Sequence, residues 1–242
     1  MNMRDAPQPS ITGLLLSGGI DSAVLLAQLL ERGWQVVPFY VRTGCVWQPE
    51  ELHAVKHFVQ TLARPRLFEL VQLEMPLEDV YGRHWSITGN QVPDDRSPDE
   101  AVFLPGRNPL LLMKPALWCH SHGISQLALA TLAGNPFPDA TPEFFARFEA
   151  MLHAALDGQV QITRPFERLT KSRVLELGRR LPLELTFSCL APVDGLHCGH
   201  CNKCAERRRG FLEIGLEDRT RYSDRPPIES QAVARKSRCP AG

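Results

Sequence analysis

The sequence predicts an α/β fold, a doubly wound parallel sheet that ends in a small cysteine-rich segment. Three observations carry this expectation. Short apolar runs alternate with longer stretches of helical spacing, the first run ends in a glycine turn, and four of the seven cysteines crowd into residues 189–204. Alternation of this kind is built from βαβ crossovers, which cover a parallel sheet with helices on both faces.

The elements follow in order. Residues 11–16 are a short apolar run, Ser17-Gly18-Gly19 is a turn, and 20–30 are too rich in Leu and Ala to be a loop. This reads as strand, glycine turn and buried helix. Val36, Val37, Phe39 and Tyr40 mark a second strand over 34–41. Leu52, Val55, Phe58, Val59 and Leu62 fall at helical spacing over 49–62, with Pro49 suited to the first turn. Residues 67–73 are a third strand, and the polar, proline-bearing stretch 81–102 is a long loop near the active edge of the sheet. Helices are expected over 108–121, 142–156 and 170–181, the last capped by Thr170, with a fourth strand over 124–132. The expected division is an α/β domain over 11–181, a cysteine-rich segment over 182–217 and a flexible tail over 218–242, where six basic residues face three acidic ones.

Composition bounds the function. With 242 residues, 43% hydrophobic and 22% charged, the chain can bury a real core. Lys+Arg and Asp+Glu both number 27, and a net charge of zero argues against sequence-independent nucleic-acid binding. No apolar run reaches the ~18–20 residues of a membrane span, and the N-terminus lacks the pattern of a signal peptide. A cytoplasmic protein is expected.

Ser17-Gly18-Gly19-Ile20-Asp21-Ser22 sits where the first strand feeds its helix, the place where open α/β sheets offer backbone N–H groups and a helix dipole to an anion. It is neither a Walker loop, which needs a Lys, nor the dinucleotide GxGxxG pattern. The serine hydroxyls can donate to phosphate. Asp21 is a strange neighbour for an anion unless a divalent cation lies between them, which implies Mg²⁺. A turn whose Asp21 and Ser22 merely cap a helix is the plainer alternative. Further along, Cys189-x8-Cys198-x2-Cys201-x2-Cys204 offers four thiolates, with Gly195 and Gly199 supplying turns around an ion. Zn²⁺ in a closed Cys₄ shell is the expectation. An iron–sulfur cluster uses the same ligands. His197 and His200 are possible substitutes for a thiolate, although solvent-facing positions suit them better. Cys45 reads as a packed thiol.

The full string SGGIDS on a first βα turn resembles the pyrophosphatase-loop ATPases, adenylating enzymes that include NAD and GMP synthetases, argininosuccinate synthetase and several RNA thiolases. Adding Phe103-Leu104-Pro105-Gly106-Arg107-Asn108, Lys171 in Leu169-Thr170-Lys171-Ser172, Phe187-Ser188-Cys189 and the run from His197 through Cys204 to Gly210-Phe211, the chain resembles the 7-cyano-7-deazaguanine synthase family over about 13–211. That resemblance implies an ATP-dependent ligase: a deazapurine carboxylate is adenylated, ammonia displaces AMP to give an amide, and a second ATP drives dehydration to the nitrile. It implies that Ser17, Gly18, Gly19, Ile20, Asp21 and Ser22 cradle the ATP phosphates. Arg107 and Asn108 would contact nucleotide or substrate, and Lys171 would neutralise phosphate charge.

Two departures from the family pattern stand out. The family's Gly, later Asp and Tyr-Pro-Asp-Cys-Arg string is shortened here to Gly134-Asn135-Pro136-Phe137-Pro138-Asp139-Ala140-Thr141, so Gly134, Pro138 and Asp139 are what remains for the substrate. Tyr40-Val41-Arg42-Thr43-Gly44-Cys45 replaces Tyr-Gly-Gln. The expected partners are a small carboxylate and ammonia, or a protein-borne or nucleic-acid-borne carboxylate if the chain has diverged. An RNA thiolase and a non-catalytic relative are the competing readings. A homodimer is expected, with Phe144, Phe145 and Phe148 available either to a subunit contact or, better, to the core.

Overall fold

The computed structural model describes residues 10–226. In chain order the elements are β1 (Ile11–Leu15), α1 (Ile20–Glu31), β2 (Gln35–Arg42), α2 (Gln48–Leu62), β3 (Val71–Glu74), α3 (Glu78–Tyr81), α4 (Trp85–Thr88), α5 (Arg107–Ser121), β4 (Gln126–Ala128), α6 (Pro142–Ala155), β5 (Gln161–Thr163), α7 (Lys171–Leu177) and α8 (Asn202–Glu213). The five strands form one sheet in the order β3-β2-β1-β4-β5, every pairing parallel. From β1 the strand order runs outward in opposite senses, to β2 on one side and to β4 on the other. In open α/β sheets the crevice beyond the carboxyl ends of such strands is where ligands bind.

Strand alternation divides the core in two. Leu14, Leu16, Val36 and Tyr40 pack with α1, α2 and α7 on one face. Leu15, Val37, Phe39 and Val41 pack with α5 and α6 on the other. Phe145 and Phe148 are buried in that second core, so the ring stripe of α6 serves packing. A third cluster joins the four-cysteine segment to Trp47, Leu104 and Phe187, binding that segment to the mouth of the sheet.

Several expectations change in detail. The third strand shortens to β3, because at 67 the chain makes only one bridge, to Val36. The loop 81–102 contains α4 and a 3₁₀ turn at Asp99–Val102. The helix expected over 170–181 stops at Leu177, where Gly178 follows. The tail expected from 218 is anchored through 226: Asp218 and Thr220 are buried, Arg207 donates to Thr220 Oγ1 at 2.7 Å, and Tyr222 bridges to His197. The remaining tail residues, 227–242, lie outside the described residues. Among the described residues no helix is long and apolar enough to cross a membrane.

Candidate active site

A cleft of about 430 Å³ opens at the sheet's switch point, bounded by the β1–α1 turn, the chain after β4, the start of α5 and one side of α8. Gly19 begins α1 in extended conformation, and no side chain caps the helix. The first-turn amides of a twelve-residue helix therefore carry their partial positive charge to the cleft. Gly18 has φ +81°, and a Cβ there would lie 2.8 Å from Glu51 Cγ, so only glycine fits both the backbone and the neighbour. Its carbonyl accepts from Phe187 N–H at 2.7 Å, which ties the loop to the cysteine-rich segment.

Ser22 braces this loop. Its hydroxyl accepts from Ser17 N–H at 3.2 Å, donates to Gly19 O at 3.1 Å and lies 3.3 Å from Ser17 Oγ. Ser22 is buried, so of the two hydroxyls expected at phosphate, Ser17's is the more available. Asp21 meets a protein cation: Lys171 Nζ donates to both carboxylate oxygens at 2.9 and 2.8 Å, across 150 residues of sequence. The same ammonium lies 3.1 Å from Glu206, which also pairs with Lys203 at 2.5 Å. Burial alone would raise the Glu206 pKa, but Lys171 and Lys203 overcome it and hold the carboxyl at about 2. For Lys171, burial opposes charge, yet Asp21 and Glu206 drive its pKa above the usual lysine value, so it stays protonated.

On the opposite wall, Gly106 adopts φ +73° and α5 begins with Arg107 and Asn108. Arg107 Nε is buried without a partner, as is Thr131 Oγ1 beyond β4. Both orphaned groups belong to residues lining the cleft, where a polar ligand would satisfy them. Asp139 also has protein partners of its own. It is buried and accepts from Asn108 N–H at 3.0 Å, while Asn108 Nδ2 donates to its carbonyl at 2.9 Å. The carboxylate thus caps α5 from another segment, and holds the chain after β4 against the start of that helix. Phe137 stacks on Phe103 with centroids 5.3 Å apart, giving the cleft an aromatic wall.

Of the candidate site residues, Ser17, Gly19, Ile20, Asp21, Ser22, Arg107, Asn108, Gly134, Asp139, Lys171 and Cys189 line one cleft. Gly18 and Pro138 are outside the lining. Sequence reasoning missed Glu51, Thr131, Lys203, Glu206 and Arg207, which line it as well. The α8 residues follow directly on the cysteine cluster, and that adjacency was the available signal.

The Sγ atoms of Cys189, Cys198, Cys201 and Cys204 all lie within 4.8 Å of one another and all four residues are buried. Two of the contacts are 3.9 and 4.0 Å. A tetrahedral ion with metal–sulfur bonds of about 2.3 Å has sulfur–sulfur edges of about 3.8 Å, so the cluster has the size of a metal shell. Backbone N–H groups of Cys198 and Ala191 point at Cys189 Sγ, and those of Cys201 and His200 at Cys198 Sγ, which favours thiolate charge. Neither histidine joins the shell. His197 is buried against Phe187 with its Nε2 accepting from Ser188 N–H, and burial followed by nearby Arg207 lowers its pKa to about 3. His200 is exposed and pairs with Asp224. Cys45 is buried, with its thiol pKa raised by burial.

A parallel sheet with SGGIDS at its switch point, a facing lysine and an uncapped helix N-terminus defines the class of pyrophosphatase-loop ATPases. The likeness in fold extends to a crystallised 4-thiouridine synthetase–RNA complex with bound ATP, at a TM-score of 0.50 and 16% identity over 85% of this chain and 50% of that one. The chain belongs to the family described as queuosine biosynthesis protein QueC, whose model matches residues 12–215. It is 33% identical over 231 residues to a 7-cyano-7-deazaguanine synthase of Syntrophobacter fumaroxidans, covering 86% of this chain and 94% of that one. It is likewise 33% identical over 236 residues to a synthase of the same name from Solidesulfovibrio magneticus, covering 90% and 97%.

Proposed function

We propose that the chain is an ATP-dependent carbon–nitrogen ligase that converts 7-carboxy-7-deazaguanine to 7-cyano-7-deazaguanine through the amide. The observation that carries this reading is the meeting, at one switch point, of the uncapped SGGIDS junction, Lys171 and the orphaned Arg107 Nε. The α1 amides and Ser17 hold the triphosphate. Arg107 supplies a guanidinium, and Lys171, kept charged by Asp21 and Glu206, offsets the negative charge that accumulates as a carboxylate oxygen attacks the α-phosphorus. Phe103 and Phe137 offer the planar base an apolar face, and Asn108 is aligned by Asp139. Gly134 follows β4 at the rim.

The sequence argument for Mg²⁺ rested on Asp21, whose carboxylate is engaged by Lys171. Mg²⁺ is therefore proposed to enter with the ATP phosphates, not through Asp21. Zn²⁺ is proposed for the four thiolates, where it would act structurally, holding α8 so that Lys203, Glu206 and Arg207 face the cleft. The thiolase alternative needs an accessible reactive cysteine pair, whereas Cys45 and Cys119 are separately buried and the other described cysteines form the cluster. Ammonia as the nitrogen source, a cytoplasmic location and a homodimer complete the proposal. Phe145 and Phe148 are committed to the core, so a dimer would use other surface.

The test is mass spectrometry of a reaction containing ATP, Mg²⁺, ammonium and 7-carboxy-7-deazaguanine. Appearance of the amide and then the nitrile, with one AMP per step, supports the reading. Pyrophosphate release only with a different carboxylate would replace the substrate and keep the chemistry. No ATP turnover with a fully metal-loaded protein would leave a non-catalytic relative.

A further inference from the structure

Glu51 stands apart from the charge cluster built on Lys171. It comes from α2, and its side chain packs behind the phosphate loop against Gly18. One carboxylate oxygen accepts from Tyr40 Oη at 2.8 Å, and the residue lines the cleft on the side of Arg107. Among the described residues no cation lies within ion-pairing distance of it, although the Arg107 guanidinium is near enough to act on its charge. A half-buried carboxylate with one oxygen fixed and the other without a protein donor among the described residues is set up to receive a small cation from the cleft.

The chemistry proposed for this site needs such a group. Ammonia is mostly ammonium at neutral pH and has no lone pair until a proton is removed. We propose that Glu51 receives the ammonium ion and takes the proton that frees its nitrogen for amidation. The inference rests on reading the site as an amidating synthase. In the step, ammonium gives one proton to the Glu51 carboxylate and the nitrogen lone pair attacks the acyl carbon of the adenylate. The bond from that carbon to the AMP oxygen breaks, and its electron pair leaves on AMP. The second nitrogen proton passes to water, and Glu51 returns its own proton to water through the open cleft.

Position alone makes Glu51 reachable, and its environment makes it a base of suitable strength. Burial pushes its pKa up to about 7, against the lowering effects of Arg107 and the Tyr40 hydrogen bond. A base half-ionised near the working pH is the efficient case for proton transfer. The groups facing it are Tyr40 from β2, Cys45 after β2 and Arg107 from α5; on the phosphate-loop side it meets Gly18. Burial raises the pKa of both Tyr40 and Cys45, so each stays neutral and Arg107 is the charged neighbour.

Two rates in the full-length, metal-loaded protein test this. Carboxylate-dependent exchange of pyrophosphate into ATP, without ammonium, reads adenylation; amide formation against ammonium concentration and pH reads the second step. Glu51→Gln should keep exchange within a few-fold of wild type, yet lose amide formation by well over tenfold at pH 7, with a raised KM for ammonium. That loss should shrink toward pH 9 as free ammonia rises. Tyr40→Phe, which removes a donor to the ionised form, should move the acid limb of the amidation profile to higher pH. Equal losses of exchange and amidation in Glu51→Gln, or an unchanged ammonium KM and pH profile, would overturn the assignment while leaving the synthase reading intact. Absence of exchange in the wild-type protein would overturn both.

Discussion

Lys171 organises the charge of the cleft, and its pairing with Glu206 should be felt as stability. The Glu206 carboxyl is lowered from 4.5 to about 2, and its side chain is about a quarter exposed. A depressed acid contributes stability that is present above its unfolded pKa and is lost as pH falls through the folded one. Its contribution should therefore disappear between about pH 4.5 and pH 2, and amounts to about 3 kcal/mol at neutral pH. Denaturant titrations across that window should show the loss in wild type and a much flatter curve in Glu206→Gln. Glu51 has the opposite sign: its folded pKa lies above the unfolded value, so ionising it costs stability as pH rises from about 4.5 to 7. Glu51→Gln should accordingly be more stable than wild type at pH 8, by up to about 3 kcal/mol, and no different at pH 4. Lys171 and Asp21 could each be singled out in the sequence from their motifs, but their pairing could not, because they lie 150 residues apart. Asp139 lines the cleft and also holds the start of α5, and only the first of these was legible in its segment. A carboxylate that caps another element's helix has the same local sequence as one that binds a ligand.

At the level of elements, the position of Lys171 depends on a short helix. α7 has seven residues, too few to be stable alone, and Thr170 Oγ1 accepts from Arg173 N–H at 3.3 Å to start it. Thr170→Ala should cost about 1 kcal/mol and raise the KM for ATP without changing the products. Steady-state kinetics beside thermal melts would read both. The strand–turn–helix at the first glycine turn was legible because an apolar run, two glycines and a Leu/Ala-rich stretch are each local signals. β5 was not: it has three residues, of which only Ile162 is buried, too few for a period to show. α8 was hidden for a different reason. Its sequence NKCAERRRGFLE is strongly polar, yet it packs through Cys204, Ala205, Phe211 and the buried stems of Arg207 and Arg208. Arg207 donates to Thr220, Thr186, Ser188 and the Leu183 carbonyl, replacing with hydrogen bonds what an apolar face would have given. No hydropathy pattern announces a helix held in that way.

Across the whole molecule, the cysteine cluster and the nucleotide cleft form one mechanical unit. α8 starts at the cluster and carries Lys203, Glu206 and Arg207 to the cleft wall, while Phe187, two residues before Cys189, holds the phosphate loop through Gly18. Cys201→Ser, or chelation of the ion under mild denaturant, should therefore lower metal content, stability and ATP affinity together. Calorimetric titration of a non-hydrolysable ATP analogue into metal-loaded and metal-depleted protein checks the coupling; full affinity after metal loss would uncouple the two sites. In the proposed reaction a carboxylate oxygen attacks the α-phosphorus of ATP at the β1–α1 junction. Single turnover with 7-carboxy-7-deazaguanine labelled with oxygen-18 in its carboxylate reads that bond directly. Adenylation followed by amination predicts AMP carrying one labelled oxygen for each amide formed. Unlabelled AMP, or ADP in its place, would contradict it.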